Sequence, residues 1–245
     1  ARQVTPTNGK IAVDLTPGEH RLTISPGTGG QLHESVYRQG VSDYAGAADT
    51  TLSHTPLSDQ NKNFGSVDRF FVRADNEHSA LLRFDLGDIP EGAVVKAATL
   101  KLVVDSSNGR LLELRGYPLR RPWEVLQATW NVARLDDPWT LAGCKDPQWD
   151  YDDSIAPSVT VTSTLYPVVM TVTDLVQRWV SDPEANFGMT LKGGGSQSGA
   201  YAFYSSDRSM VDQRPQLSVL YTMPAITPTP RPTWTPTMTR TPTHT

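Results

Sequence analysis

The fold class follows from the stretch Ser79–Asp105, which reads SALLRFDLGDIPEGAVVKAATLKLVVD. Apolar and polar residues alternate along residues 82–86 and again along residues 99–102, so each segment has one apolar and one polar side. Between them, residues 89–92 are predicted to turn the chain, because proline fixes its own φ and glycine accepts a positive φ. Two antiparallel strands with one solvated face are the unit of a β-sandwich and are not typical of a parallel sheet.

From Thr50 to Thr222 the chain repeats this pattern in short segments separated by Gly, Pro, Asn and Asp. Further strands are predicted at Phe70–Val72, Arg110–Leu114, Val159–Val161, Val168–Val172, Phe187–Leu191, Tyr201–Tyr204 and Leu217–Tyr221. One short helix interrupts them, with Asp174 as its predicted cap and Pro183 at its end. The prediction is an all-β fold, an antiparallel, jelly-roll-like β-sandwich with one helix. Its predicted core includes Leu82, Phe84, Leu100, Leu102, Val172, Trp179, Val219 and Tyr221.

Residues 1–47 precede this sandwich and are predicted to be a strand-bearing extension. Alternation at Ile11–Leu15 and His20–Ile24, with a turn at residues 16–19, indicates a strand pair. A lone two-stranded hairpin is at best marginally stable in water, so this pair must pack on something. It either covers an edge of its own sandwich or adds to a neighbouring subunit.

Residues 223–245 form the third predicted region, a tail in which threonine and proline nearly alternate. Such a segment cannot build a packed core and favours an extended polyproline II conformation. Its exposed hydroxyls beside proline predict O-glycosylation at Thr227, Thr229, Thr233, Thr235, Thr237, Thr239, Thr241 and Thr243. The chain is therefore divided into an extension (1–47), a sandwich (48–222) and a tail (223–245).

The composition argues against several classes of protein. A net charge of −4 gives no basic field for nucleic acid or an anionic membrane. The single cysteine, Cys144, excludes an intrachain disulfide framework and a cysteine-rich zinc site. No apolar run approaches the roughly 18 residues that would span a bilayer, so membrane insertion is not expected.

Catalytic motifs are also absent from the sequence. The five histidines have no metal-ligand spacing such as H-E-x-x-H, and no G-x-S-x-G motif places a nucleophilic serine. The many carboxylates could supply a glycosidase pair, but nothing in the sequence sets two of them at the required separation. The sequence therefore predicts a protein that is not an enzyme.

Candidate ligand-binding residues cluster between residues 137 and 156, which is predicted to be a polar, strand-poor surface loop. Trp139, Trp149 and Tyr151 are the candidate carbohydrate contacts, because an aromatic face packs on the C–H face of a pyranose. Trp123, Trp130 and Trp179 are expected to be core residues instead. A structural calcium ion is the one cofactor considered, and its predicted ligands are Asp146, Asp150, Asp152 and Asp153.

Several motifs occur together and in order: LLRFDL at 81–86, IPEGA at 89–93, AATLKL at 97–102, ADTTL at 48–52, NFG at 63–65, PWE at 122–124, ATWN at 128–131, VTDLV at 172–176 with Trp179, and RPQL at 214–217. On these motifs the chain resembles the DNRLRE domain family, which consists of extracellular, jelly-roll-like modules related to carbohydrate-binding modules. The resemblance covers roughly residues 48–222 and implies an extracellular module, without identifying a ligand. The chain departs from the family at residues 205–207, which read SSD where many members have serine, a basic residue and glutamate.

Two functions fit these observations. The first is a structural or adhesive subunit of a cell-surface filament, because free sheet edges accept strands from other copies and head-to-tail contacts do not close. The residues expected to make those homopolymer contacts are Ile11, Val13, Leu15, Leu22, Ile24 and Trp234. The alternative is a carbohydrate-binding module tethered by its Thr/Pro linker to a polysaccharide-acting protein. The strand-bearing extension favours the filament, because a plain binding module needs no such segment.

Overall fold

A computed structural model describes residues 31–162 and 164–223, which form fourteen strands, one α-helix and three short 3-10 turns. The strands are β1 (Leu32–Tyr37), β2 (Ala47–Ser53), β3 (Arg69–Arg73), β4 (His78–Phe84), β5 (Val94–Leu102), β6 (Val104–Ser107), β7 (Leu112–Pro118), β8 (Val132–Arg134), β9 (Asp137–Pro138), β10 (Ser158–Val161), β11 (Val168–Thr171), β12 (Met189–Gly194), β13 (Ala200–Tyr204) and β14 (Gln216–Thr222). The helix α1 spans Thr173–Ser181, and the 3-10 turns are Leu57–Asp59, Pro183–Ala185 and Val211–Gln213. Within the described ranges, no helix has the length and hydropathy needed to cross a membrane.

The strands pair antiparallel in three larger sheets and one two-stranded ribbon. A four-stranded sheet has the order β1-β14-β5-β11, a five-stranded sheet β10-β7-β12-β4-β2, and a three-stranded sheet β3-β13-β6. This arrangement confirms the predicted all-β sandwich.

The two strands of Ser79–Asp105 do not pair with each other. β4 lies in the five-stranded sheet and β5 in the four-stranded sheet, so the turn at residues 89–92 joins two layers. Leu86 and Ile89 are buried in the core along this connection, and Gly92 has the positive φ of 79° that the turn requires. The alternation predicted both strands correctly, but it does not encode which strand each one pairs with.

The main core consists of inward-facing side chains from all three larger sheets and from α1. All eight residues predicted for the core lie in it. The helix is joined to β5 by polar contacts as well, since the Gln177 side chain accepts the N–H of Val95 at 2.8 Å and Thr173 accepts the N–H of Ala98 at 3.0 Å. The prediction that Asp174 caps the helix was wrong. The N-cap residue of α1 is Val172, and no side chain forms a capping hydrogen bond there.

A second core lies on the other side of the five-stranded sheet. Adjacent strand residues point to opposite faces, so Leu82 faces the main core while Leu81 faces this second cluster. The cluster consists of Leu52, Leu81, Leu119, Trp123, Ala128, Trp130, Ala133, Trp139 and Cys144. Residues 137–156 are strand-poor, as predicted, but they are not simply a surface loop, because part of this segment covers the sheet.

The sandwich also begins before the predicted boundary at residue 48. β1 pairs with β14 along its whole length, from Leu32 opposite Thr222 to Tyr37 opposite Leu217. The predicted hairpin at Ile11–Leu15 and His20–Ile24 lies outside the described residues. So do the tail threonines from Thr227 to Thr243, and Trp234.

Candidate functional site

The aromatic residues predicted to contact carbohydrate occupy different environments. Trp139 is only 4% exposed and donates its indole N–H to the Thr129 carbonyl at 3.0 Å, so it has no free face for a sugar. Trp149 is 62% exposed. Tyr151 is half-buried. The centroid of its ring lies 5.0 Å from the ring centroid of Tyr117 and 5.1 Å from the ammonium group of Lys192. Trp149 is therefore the one of the three with a broadly accessible ring.

The four predicted calcium ligands are held largely by contacts within the chain. Asp150 is fully buried and accepts the backbone N–H groups of Thr140, Leu141 and Asp146. Asp146 accepts backbone N–H groups from the turn that follows it, and Asp153 is exposed. In the described part of the chain, no group of three His, Cys, Asp or Glu residues is arranged to hold a metal ion. The calcium site stays a prediction.

Asp152 connects the covering segment to the helix. Its carboxylate lies 3.1 Å from Arg120 and 2.5 Å from Arg178 of α1. Burial alone would raise the pKa of Asp152, but hydrogen bonds from Ser154 and Arg178 outweigh it and hold the pKa below its ordinary value. This carboxylate therefore has a structural role.

The outer face of the three-stranded sheet forms a concave surface, which we call the trough. It encloses about 220 Å³ and is lined by Phe71, Arg73, His78, Ser106, Ala200 and Ala202, among others. Phe70, Val72 and Phe203 point into the main core, so their strand neighbours Phe71 and Ala202 point outward. Ala202 lies opposite Phe71 on β3 and Ser106 on β6 and is only 2% exposed, so the trough has one aromatic side and one side of small polar residues.

Charged groups at the trough are arranged in ion pairs. Arg73 lies 2.7 Å from Asp75 and 3.5 Å from Glu77 at one end. Toward the other end, Arg69 lies 3.1 Å from Asp68 and 2.8 Å from Asp105. Two arginines face four carboxylates in these pairs, so the groups together carry a net negative charge.

His78 lies beside Phe71 on the aromatic side of the trough and is held in its neutral form. Burial, followed by the positive charge of Arg73, lowers the pKa of the His78 imidazole. Its Nε2 lies 3.2 Å from the Ser53 hydroxyl, and its ring centroid lies 6.3 Å from that of Phe71. This side of the trough is therefore aromatic and uncharged at neutral pH.

A second concavity, the tyrosine pocket, lies where the loop after β1 meets the turn after β4. It encloses about 420 Å³ and is lined by residues that include Tyr37, Asp43, Tyr44, Asp85 and Asp88. The Tyr37 hydroxyl donates to the Asp88 carboxylate at 2.5 Å, and the Tyr44 hydroxyl donates to the Asp85 carbonyl at 3.1 Å. Burial raises the pKa of both tyrosines, so both hydroxyls stay protonated. These polar groups are directed mainly at each other.

Asp49 on β2 is an isolated buried carboxyl group, 2% exposed. It accepts the backbone N–H of Ser206 at 2.7 Å. Burial raises the pKa of Asp49 to about 7, against the lowering effect of the Ser206 hydrogen bonds, and the nearby Asp207 adds to the rise. Position 206 is where many DNRLRE domains have a basic residue, so the departure at residues 205–207 falls beside this carboxyl group.

Sequence reasoning missed both concavities. Phe71 was predicted only as a strand residue, although the apolar run Phe70-Phe71-Val72 must place one large apolar side chain on the outer face. This interruption of the apolar–polar alternation was the sequence signal for an outward-facing aromatic side chain at Phe71. Tyr37 and Tyr44 fell in the segment treated as an extension, so their approach to Asp85 and Asp88 could not be foreseen.

A rigid antiparallel sandwich with concave, partly aromatic surfaces is the architecture of a ligand-binding module. Residues 41–221 match carbohydrate-binding module family 96, and this chain belongs to that family. The matched range covers nearly all of the described sandwich.

One curated protein is also similar over part of the chain. A stretch of 143 residues is 26% identical to protein decapentaplegic of Drosophila melanogaster, covering 58% of this chain and 22% of that protein. The chain thus spans about a fifth of the length of that relative.

Proposed function

We propose that this chain is an extracellular, non-catalytic protein whose sandwich binds carbohydrate. The observation that carries this proposal is its membership of a carbohydrate-binding module family across residues 41–221. Of the two functions predicted from the sequence, a filament subunit and the alternative of carbohydrate binding, the family supports carbohydrate binding. The resemblance to DNRLRE domains agrees with an extracellular location.

Binding of this kind needs a prepared surface and no chemical step. Sheet faces hold their side chains in fixed positions, so little conformational entropy is lost when a sugar binds. Aromatic rings supply contact with C–H groups, and fixed polar groups supply hydrogen bonds to hydroxyls. The described sandwich offers both kinds of group on its outer surfaces.

A sedimentation assay tests the proposal. The full chain is mixed with insoluble cellulose, chitin, xylan or mannan, and the bound fraction is measured after centrifugation. We expect saturable binding to at least one polymer and no release of reducing ends during prolonged incubation. Heat-denatured protein is the control for non-specific adsorption, and equal sedimentation of native and denatured protein on every polymer would contradict the proposal.

The residues and cofactor predicted from the sequence are tested in the same assay. We propose that Trp149 and Tyr151 add contacts at the edge of the bound glycan, so Trp149→Ala should reduce retention without unfolding the protein. If the carboxylates from Asp146 to Asp153 hold calcium, a chelator should reduce retention and added calcium should restore it. Unchanged retention would remove the tested feature from the proposal, while the function itself would stand.

Self-assembly is the second candidate function. In the described sheets β1 pairs only with β14, which leaves its outer edge available for another strand, and Leu32 and Val36 on it are exposed. We propose that residues 11–24 supply that strand to a neighbouring subunit. Light scattering of the full chain should then detect assemblies that are lost when residues 1–30 are deleted, whereas a monodisperse monomer would exclude this function.

A further inference from the structure

One turn of the sandwich carries a chemically labile pair of residues. Asn108 and Gly109 directly follow β6, and both are exposed. We propose that Asn108 is a site of spontaneous deamidation that the native fold protects, and that its conversion loosens one end of the three-stranded sheet. This site is independent of the proposed carbohydrate-binding function.

The side chain of Asn108 joins two connections of the chain. Its Nδ2 donates to the Ser198 carbonyl at 2.7 Å, and its Oδ1 accepts the N–H of Ala200 at 3.1 Å. Oδ1 also accepts the N–H of Arg110 at 3.2 Å. We call these three hydrogen bonds the clamp, because they hold the β6–β7 connection against the β12–β13 connection.

Deamidation at this turn needs only water as a co-reactant. The backbone nitrogen of Gly109 attacks Cγ of Asn108, the bond from Cγ to Nδ2 breaks, and Nδ2 leaves as ammonia with the proton from Gly109. Water then opens the cyclic imide at either of its two carbonyls, so the product is aspartate or isoaspartate. Gly109 suits the first step, because it has no side chain and a Cβ at this position would meet nothing within 4 Å.

The clamp opposes the first step. Ring closure requires the amide plane of Asn108 to turn toward the Gly109 nitrogen, and this movement breaks the hydrogen bonds of Oδ1 and Nδ2. The nitrogen itself is also held, because its N–H donates to the Ser107 hydroxyl at 3.2 Å. The two N–H groups on Oδ1 would stabilise negative charge there, but only once the ring begins to close. The reaction therefore waits for local opening of the turn.

The product of deamidation does not fit the clamp. A carboxylate has no N–H to donate, so an oxygen would face the Ser198 carbonyl in place of Nδ2. Isoaspartate also lengthens the backbone where there is little room, since a Cβ on Gly199 would lie 2.2 Å from the Leu111 carbonyl oxygen. Gln197 holds the same place, because its Oε1 accepts the N–H of Leu111 at 3.1 Å. We therefore expect residues 195–199 to separate from the β6–β7 connection after conversion.

Peptide mapping of the aged full chain tests this inference, and the chain contains its own comparator. The same pair occurs once more in the sequence, as Asn8–Gly9, which lies outside the described residues. The chain is incubated in mildly alkaline buffer, either folded or unfolded in guanidinium chloride, and conversion of each asparagine is followed by mass spectrometry. We expect similar rates for Asn8 and Asn108 in the unfolded chain. In the folded chain, Asn108 should convert at least about tenfold more slowly, because three hydrogen bonds must open first.

Two substitutions test the contacts themselves. Ser107→Ala frees the Gly109 N–H and should speed the conversion of Asn108 in the folded chain several-fold. Ser106→Ala is the matched control, because the Ser106 hydroxyl donates to Asp105 instead. Asn108→Asp places a carboxylate in the clamp and should increase hydrogen exchange at residues 195–199, as should ageing of the wild type. Thermal melting checks that each variant is folded.

The opposite results would overturn the proposal. If Asn108 does not convert in the unfolded chain while Asn8 does, Asn108 is not a deamidation site. Conversion of Asn108 in the folded chain as fast as in the unfolded chain, or faster, would overturn protection by the clamp. An unchanged rate in Ser107→Ala would remove Ser107 from that protection. Unchanged hydrogen exchange at residues 195–199, in both Asn108→Asp and the aged wild type, would overturn the loosening.

Discussion

Replacing Asp49 by asparagine should change how the stability of the sandwich depends on pH. Asp49 is buried, accepts the Ser206 N–H, and has its pKa raised to about 7 from an ordinary value of 3.8. The folded protein therefore keeps this proton at pH values where the unfolded chain has released it. Stability from this group is full below about pH 4 and is lost as pH rises through about 7.

The magnitude follows from the size of that rise. One pKa unit corresponds to about 1.4 kcal/mol, so a rise from 3.8 to about 7 amounts to about 4 kcal/mol between pH 4 and pH 8. Asparagine has nearly the same shape, its carbonyl oxygen still accepts the Ser206 N–H, and it carries no titrating proton. Asp49→Asn should therefore gain stability relative to wild type as pH rises, by an amount of this order.

Urea unfolding at several pH values between 4 and 8 measures this difference. The free energy of unfolding of the variant minus that of wild type should increase with pH across this range. Asp136→Asn, at an exposed position, is the matched control for replacing an aspartate by asparagine. If the wild-type and Asp49→Asn curves stay parallel from pH 4 to pH 8, Asp49 does not keep its proton in the folded protein at neutral pH.

Three further predictions concern stability and modification. Trp139→Ala should lower the free energy of unfolding by about 3–5 kcal/mol, because the ring is buried in the second core. A urea unfolding curve equal to that of wild type would contradict that packing. Asp152→Asn should destabilise the protein at neutral pH and make its stability depend less on pH in acid. The lowered pKa of Asp152 gives stability that is present above the unfolded pKa and is lost as pH falls. Acid titration followed by circular dichroism checks this, and a midpoint of acid unfolding equal to that of wild type would contradict it. O-glycosylation of the tail, from Thr227 to Thr243, should make proteolytic peptides from residues 223–245 of natural material heavier than their unmodified sequence, and peptide masses equal to those of the unmodified sequence would exclude it.

Local patterns in the sequence predicted most strands of the sandwich, but not β1, β8 or β9. Alternation predicted both strands of Ser79–Asp105 and the side of each that faces the main core, because the side-chain period of a strand is fixed by its backbone. The solvated face predicted for β4 was wrong, because the second core covers it. Alternation could not predict that β4 and β5 lie in different sheets, since pairing depends on contacts far apart in the chain.

The sequence pattern also did not show that β4 is buried on both faces. Trp139 lies in a polar segment and looked available to a ligand, but the apolar pair Leu81-Leu82 gives β4 two buried faces, and this segment covers one of them. The trough was missed for a related reason. Its floor and walls come from β3, β6 and β13, which become neighbours only in the folded sheet.

Titration calorimetry measures carbohydrate binding by the sandwich in solution. A soluble oligosaccharide from the polymer retained in sedimentation is titrated into the full chain and, as control, into the heat-denatured chain. A carbohydrate-binding sandwich should give saturable heat with about one site per folded chain, and the denatured chain should give none. Absence of heat across oligosaccharides from every polymer tested, at protein concentrations that would detect millimolar affinity, would contradict carbohydrate binding by the sandwich.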